Sequence, residues 1–335
     1  MSSEKLSPAI ALIGERYQLL RPLARGGMGT VWVARHVQLD RLVAIKLLED
    51  AGNGKEALVL AEARMLARLR HPNVVDVFDC GTDASGLSFI VMELLEGPTL
   101  AAHLDEHGPL GAAVATRLML PVLDGLSAVH GAGLVHRDLK PENIVLAGPT
   151  SAPQPKLIDF GIARPSHSET LESSPCGVIV GTPQYMSPEQ IQGVPGDIRS
   201  DVWGATAVLY EAIANRAAFP GEDAMQVFHA VTNDPPAFPA EVKDLDGRLW
   251  AILTRGLRKL PSERYATCAE LATELRTWLS RSGSLQASMP SREPSPPAAR
   301  AVSNSVEVPV QGVQLPTEPV EGPLDVLMRR KPPPR

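Results

Sequence analysis

Apolar positions along the chain change their spacing several times, and each change marks an element or a boundary. Tyr17, Leu19 and Leu20 precede a Gly-rich stretch, and Val31, Trp32 and Val33 follow it, which predicts two short strands. Leu42 to Leu48 predicts a third, apolar but for Lys46. From Lys55 to Arg70 the period lengthens. Leu58, Glu62, Met65, Leu66 and Leu69 recur at helical spacing, and His71-Pro72-Asn73 ends the helix because the residue before a proline avoids helical angles. Val74 to Val77 and Leu87 to Met92 predict two more strands around a Gly-containing turn. The first part of the chain therefore reads as a small, mostly antiparallel sheet with one helix.

After Leu94 to Pro98 the pattern turns helical. Helices are expected over Thr99 to His107, Ala112 to Gly131, Asp201 to Asn215, Leu249 to Leu257 and Ala266 to Ser280. Between them, Leu134-Val135 and Ile144 to Leu146 flank a charged, Pro-containing segment and predict strand, loop, strand. Ala147 to Pro155 reads as a turn insertion, Lys156 to Ile158 as a strand, and Pro165 to Val178 as polar, Ser-rich chain without a period. Sheet-rich chain followed by helix-rich chain predicts an α+β fold of two lobes with a cleft between them.

Residues 1–14 form a short unassigned leader. Residues 15–281 form the folded domain, with an N-lobe over about 15–93 and a C-lobe over about 98–281. The remainder, 282–335, is Pro/Ser-rich: eleven of the 31 prolines lie from Met289 onward, and no aromatic residue occurs there. Such chain buries too little to offset its ordering entropy, and disorder is expected.

Composition narrows the function classes. A net charge of −6 over 335 residues argues against nucleic acid or a membrane surface as partner. Cys80, Cys176 and Cys268 are far apart and odd in number, which fits a reducing compartment and neither a disulfide framework nor a zinc site. The first residues lack a signal-peptide pattern, and no window approaches the run of about 20 apolar residues that spans a bilayer. A cytoplasmic chain without a membrane span is expected.

The chemistry concentrates in His136-Arg137-Asp138-Leu139-Lys140-Pro141-Glu142-Asn143. A single Asp in a loop is usually a turn or cap residue. Here a proton acceptor (Asp138), a cation for phosphate (Lys140) and an amide oxygen for a metal (Asn143) share one short loop, and phosphoryl transfer needs those roles together. The Gly-rich stretch Ala24-Arg25-Gly26-Gly27-Met28-Gly29-Thr30-Val31 lets backbone amides approach phosphate oxygens, although alone it reads more often as a hairpin turn. Lys46, among apolar neighbours, needs an anionic partner, and Glu62 interrupts the stripe of the next helix. Asp159-Phe160-Gly161 follows a strand and offers a hard oxygen ligand.

These motifs, in this order over roughly residues 17 to 280, resemble the protein-kinase family, whose motifs serve as a general worked example of phosphoryl transfer. The wording of Gly-Gly-Met-Gly-Thr-Val-Trp and Tyr-Met-Ser-Pro-Glu-Gln is similar to the bacterial, receptor-like serine/threonine kinases. Those often continue into a membrane span, and this chain is expected not to. The resemblance implies a two-lobed fold and transfer of the ATP γ-phosphate to protein Ser/Thr hydroxyls, with Asp138, Lys140 and Asn143 catalytic. It implies ATP binding by Leu23, Ala24, Arg25, Gly26, Gly27, Met28, Gly29, Val31, Ala44, Lys46, Glu62, Met92, Glu93 and Leu95. Within that set Lys46 pairs with Glu62, and Met92 is the gatekeeper.

The metal, Mg2+ with Mn2+ able to replace it, falls to Asn143 and Asp159. Lys140 and Thr182 fit serine/threonine rather than tyrosine acceptors. Arg137 is the regulatory receiver of an activation-segment phosphate, with Thr170, Ser173 and Ser174 as candidates and autophosphorylation as the switch. Glu189 is expected on Arg264. Three departures from the family pattern stand out: Ala24 and Thr206 replace glycines, and Ser187 replaces an alanine. The rival readings are a pseudokinase acting through contacts alone and a tail recruiting partners in polyproline form. A kinase homodimer and a partner for the Pro-rich tail are compatible with the first reading.

Overall fold

The computed structural model describes residues 12–26, 29–48, 55–149, 151–160 and 183–287. They belong to one compact unit within residues 1–289, and the remaining unit, 290–335, lies outside the described residues. Six strands, β1 (Leu12–Ile13), β2 (Tyr17–Gly26), β3 (Gly29–His36), β4 (Arg41–Leu48), β5 (Val77–Thr82) and β6 (Ser88–Met92), form one antiparallel sheet in the order β1-β2-β3-β4-β6-β5. The alternation of β4 packs Val43, Ile45 and Leu47 into a small core with Ile13, Tyr17, Phe89 and Val91, and turns Ala44, Lys46 and Leu48 to the other face. Ile13 is buried and pairs with Tyr17, so the end of the expected leader is part of the sheet.

Two details of this half correct the sequence reading. Helix α1 spans Lys55–Leu66, shorter than expected, and buries Val59, Ala63 and Leu66, whereas Leu58 and Met65 face solvent. Its sequence is apolar around much of its circumference, so packing against β5 selects the stripe. The strand expected at Val74 to Val77 begins only at Val77, because Val74 and Val75 instead run beside Leu157, with Val75 N–H donating to Leu157 O at 2.9 Å.

The larger half contains α2 (Leu100–His107), α3 (Ala112–Gly131), the hairpin β7 (Ile144–Ala147) with β8 (Gln154–Leu157), a short turn of helix α4 (Pro188–Ile191), α5 (Ile198–Ala214), α6 (Ala224–Asn233), α7 (Gly247–Gly256) and α8 (Cys268–Ala287). Caps set several of these ends: Thr99, Asp197, Asp223 and Asp246 each accept a backbone N–H of the first turn. Helix α8 runs on to Ala287, beyond the expected end at Ser280. α3 has the length and apolarity to cross a membrane, with a mean hydropathy of 1.4, which corrects the expectation that no window approaches that run. Half of that stretch is buried within the fold, where α3 packs against α5 and α8.

Leu134 and Val135 form no strand: the segment before the charged loop is extended chain without a ladder. Leu134 N–H donates back to Val129 O at 3.1 Å, and the next donors, His136 and Arg137 N–H, meet a carboxylate on α5. A second close contact involves Thr206, where a glycine was expected. Its hydroxyl donates to Val202 O at 2.7 Å, and Gly256 on α7 provides the room, since a Cβ there would lie 2.2 Å from Thr206 Oγ1.

Candidate active site

The loop 136–143 is held from below by Asp201, which is 1% exposed. Its Oδ2 accepts from His136 N–H and its Oδ1 from Arg137 N–H, both at 2.8 Å, and Oδ2 also contacts His130 Nε2 at 2.8 Å. These bonds hold Arg137 at φ 63, a left-handed conformation that costs a non-glycine residue of order 1–3 kcal/mol. Asp159 is held similarly, at φ 52. Left-handed backbone at both carboxylate-bearing turns marks a site where position matters more than local comfort. Sequence reasoning missed Asp201; an acid in the first turn of an otherwise apolar helix was the available signal.

His136 is fully buried and tilted against the Phe160 ring, with centroids 4.7 Å apart. Its Nδ1 faces the Asp138 N–H at 3.3 Å and its Nε2 faces Ile158 O at 3.2 Å. A donor on one side and an acceptor on the other require a neutral ring protonated at Nε2. Burial agrees, pushing the imidazole below its ordinary pKa against the pull of Asp201 and Asp138.

Asn143 donates its side-chain amide to Asp138 O at 2.8 Å and Asp138 Oδ2 at 3.2 Å. Because the NH2 group must face that carbonyl, the amide oxygen is the end left to point elsewhere. Lys140 Nζ lies 3.5 Å from Asp138 Oδ2. Lys46 Nζ donates to Asp159 Oδ1 at 2.6 Å, so the two are already one unit. The donor set offered by Asn143 and Asp159 is oxygen only, which suits a hard divalent cation.

The expected Lys46–Glu62 pair is not formed. Glu62 faces Arg137 instead, 4.0 Å from Nη1, and burial raises its carboxyl pKa while Arg137 opposes the shift. Once Asp159 occupies the lysine, the half-buried Glu62 has its nearest described cation on the charged loop.

Of the expected nucleotide residues, Lys46 and Met92 line one pocket together with Asp159. Ala24 pairs with Val31, Arg25 with Thr30 and Gly26 with Gly29, so the Gly-rich stretch is the tip of the β2–β3 hairpin. Leu23, Ala24 and Arg25 are exposed there, and Gly27 and Met28 lie outside the described residues. Val31 sits on β3 and Ala44, buried, on β4, where Ala44 pairs with Met92. Met92, Glu93 and Leu95 follow as the connection between the halves, each half-buried. Behind Lys46 and Asp159 lies a small pocket lined by Leu48, Leu66, Val75, Met92 and Phe160. Thr170, Ser173, Ser174 and Thr182 lie outside the described residues.

Glu189 and Arg264 meet as expected. Glu189 accepts from Arg264 Nη1 and Nη2 at 2.7 Å each, with the Ser200 hydroxyl as a further donor at 2.7 Å. The guanidinium holds the Glu189 carboxyl below its ordinary pKa although burial alone would raise it.

Residues 17–275 match the family model described as the protein kinase domain. The chain is 38% identical over 278 residues to the serine/threonine-protein kinase PkaA of Streptomyces coelicolor, covering 79% of this chain and 50% of that protein. It is 37% identical over 277 residues to a probable serine/threonine-protein kinase of Corynebacterium efficiens, covering 79% and 41%. It is 36% identical over 269 residues to the serine/threonine-protein kinase PknL of Mycobacterium tuberculosis, covering 79% and 66%. The match thus spans between 41% and 66% of these relatives' lengths.

Proposed function

The chain belongs to the protein kinase family, and from that premise we propose that it transfers the γ-phosphate of ATP to serine and threonine hydroxyls of proteins. The observation that carries the reading is the convergence of Asp138, Lys140 and Asn143 on one loop, beside the chain that leads to the Lys46–Asp159 pair, where Ile158 N–H donates to Asn143 O at 2.9 Å. The matched relatives bear the name serine/threonine-protein kinase, and Lys140 and Thr182 agree with that acceptor class.

In the transfer, the acceptor oxygen bonds to the γ-phosphorus, the β–γ bridging P–O bond breaks, and ADP leaves with the bridging oxygen. Asp138 orients the hydroxyl and takes its proton, while Asn143 fixes Asp138 through two hydrogen bonds. Lys140 places positive charge beside the transferring group. Lys46 is the phosphate anchor, and the β2–β3 hairpin tip supplies backbone donors. Asn143 and Asp159 would hold Mg2+, or Mn2+ in its place, and such a cation neutralises charge on the phosphates when bound. The base would sit against Met92, Glu93 and Leu95, beneath Val31 and Ala44.

The catalytic domain on this reading runs from β1 to the end of α8, with a separate Pro/Ser-rich tail after it. A cytoplasmic setting follows from the need for ATP and agrees with the free thiols of Cys80 and Cys268. Labelled-ATP transfer tests the activity. Asp138→Asn should abolish most incorporation, and equal incorporation in variant and wild type would overturn the mechanism.

Control by autophosphorylation belongs to the same proposal. Arg137 has a partly exposed guanidinium, 4.0 Å from Glu62, and its Nε donates to Gly196 O at 3.2 Å. So loosely paired a cation suits a phosphate on Thr170, Ser173 or Ser174. Phosphatase treatment should lower turnover; unchanged turnover removes the switch from the reading.

A further inference from the structure

Lys156 touches no reacting group in this mechanism, yet it is one of the best-held cations near the cleft. It lies on β8 three residues before Asp159, between the buried Pro155 and Leu157, so alternation turns its side chain the other way. Nζ donates to Glu93 Oε1 at 2.6 Å, and the two side chains are 14% and 18% exposed. The same Glu93 oxygen accepts the Asp76 N–H at 2.8 Å, and the Glu93 N–H returns to Asp76 O at 2.9 Å. Asp76 is tied further to Arg70 at 2.8 Å.

The segment before Asp76 is laced to the strand that carries Lys156. Leu157 N–H donates to Asn73 O at 2.9 Å, Val75 N–H to Leu157 O at 2.9 Å, and the Asn73 amide to Pro155 O at 2.8 Å. The connection that would receive the base and the strand that delivers Asp159 are thereby joined through one lattice. Within it the Lys156–Glu93 bond is the direct side-chain link. A pair this short and this shielded is charge-assisted and weakly screened, unlike a solvated surface lysine.

We propose that Lys156 is a positioning residue for the nucleotide, fixing the separation between Glu93 on the base side and Asp159 on the phosphate side. The proposal rests on the phosphotransfer reading above. Its physical basis is that a nucleotide spans both ends of the cleft, so freedom between those ends is lost on binding and weakens affinity. The acceptor protein binds elsewhere and should not sense the pair.

The test compares wild type, Lys156→Met and the charge-conserving Lys156→Arg, reading ATP and acceptor kinetics, ADP affinity and Mg2+ dependence. Lys156→Met should raise the KM for ATP and the Kd for ADP about tenfold and move half-maximal Mg2+ upward, while kcat at saturation and the acceptor KM change less than about threefold. Lys156→Arg, which keeps a cation on Glu93 and leaves the Asp76 N–H its acceptor, should recover most of the nucleotide affinity. A folded Lys156→Met with unchanged ATP KM and ADP Kd overturns the proposal, as does a uniform loss of kcat with no KM split. Should Lys156→Met not fold, Glu93→Gln with Lys156→Gln removes both charges and reads the same two constants, with the same overturning result. A wild type that binds no nucleotide defeats the phosphotransfer reading and this proposal together, whereas an active wild type with an unshifted variant defeats only the latter.

Discussion

Asp201→Asn is the sharpest probe of how the charged loop is held. The substitution keeps shape and removes charge. Asp201 accepts from two backbone N–H groups and contacts His130 Nε2, all at 2.8 Å, in a position 1% exposed. An amide has one acceptor oxygen, so whichever way it turns, its NH2 confronts the N–H of His136 or that of Arg137. One buried donor is then left without an acceptor, at a cost of about 2–4 kcal/mol once the lost charge-assisted bond is included. The left-handed strain at Arg137, φ 63, is of comparable size, roughly 1–3 kcal/mol. With one bond gone, the Arg137 peptide gains by relaxing, and Asp138 moves with it. Misplacement of a reacting group by about 1 Å can lower turnover about a hundredfold. Urea unfolding followed by tryptophan fluorescence gives the stability term, and labelled-ATP transfer gives kcat. A variant within about 0.5 kcal/mol of wild type and within twofold of its kcat would show that the carboxylate does not hold the loop, and the reasoning would fail.

The Glu189–Arg264 pair makes a pH prediction. Glu189 has its folded pKa held below the ordinary 4.5, so its contribution is present above that value and lost as pH falls through the folded pKa. Arg264→Met should cost about 3–5 kcal/mol at neutral pH by stranding a buried carboxylate, and the variant should lose less stability than wild type on acidification. Parallel slopes in acid titrations followed by circular dichroism would contradict this. In the helix pair α5–α7, Gly256→Ala should cost about 1–3 kcal/mol by driving a Cβ into Thr206. Adding Thr206→Gly, which removes the Cβ that would itself lie 2.9 Å away, should recover most of the clash, and strictly additive unfolding energies would refute the contact.

Much of the site was legible in the sequence because its chemistry is local. Asp138, Lys140 and Asn143 lie within six consecutive residues, and a single turn suffices to bring Asp138 and Asn143 into hydrogen-bond contact. Lys46 and Asp159 are separated by 113 positions, and it was the resemblance of their motifs to the kinase family that assigned them to one site. Strands and long helices were legible for the same reason, since period and end signals are short-range. What the chain could not express locally was choice among partners. Lys46 was expected on Glu62, and only the packed backbone put Asp159 at 2.6 Å instead. Helix α1 carried two apolar stripes, and the neighbouring strands selected Val59, Ala63 and Leu66. Asp201 lies 64 and 65 positions from the N–H groups it accepts, and Lys156 lies 63 from Glu93. The sequence by itself determined which chemical groups this protein has and roughly where each sits on an element. The tertiary structure decided which of them touch, because a buried charge takes the partner that packing brings within hydrogen-bond range.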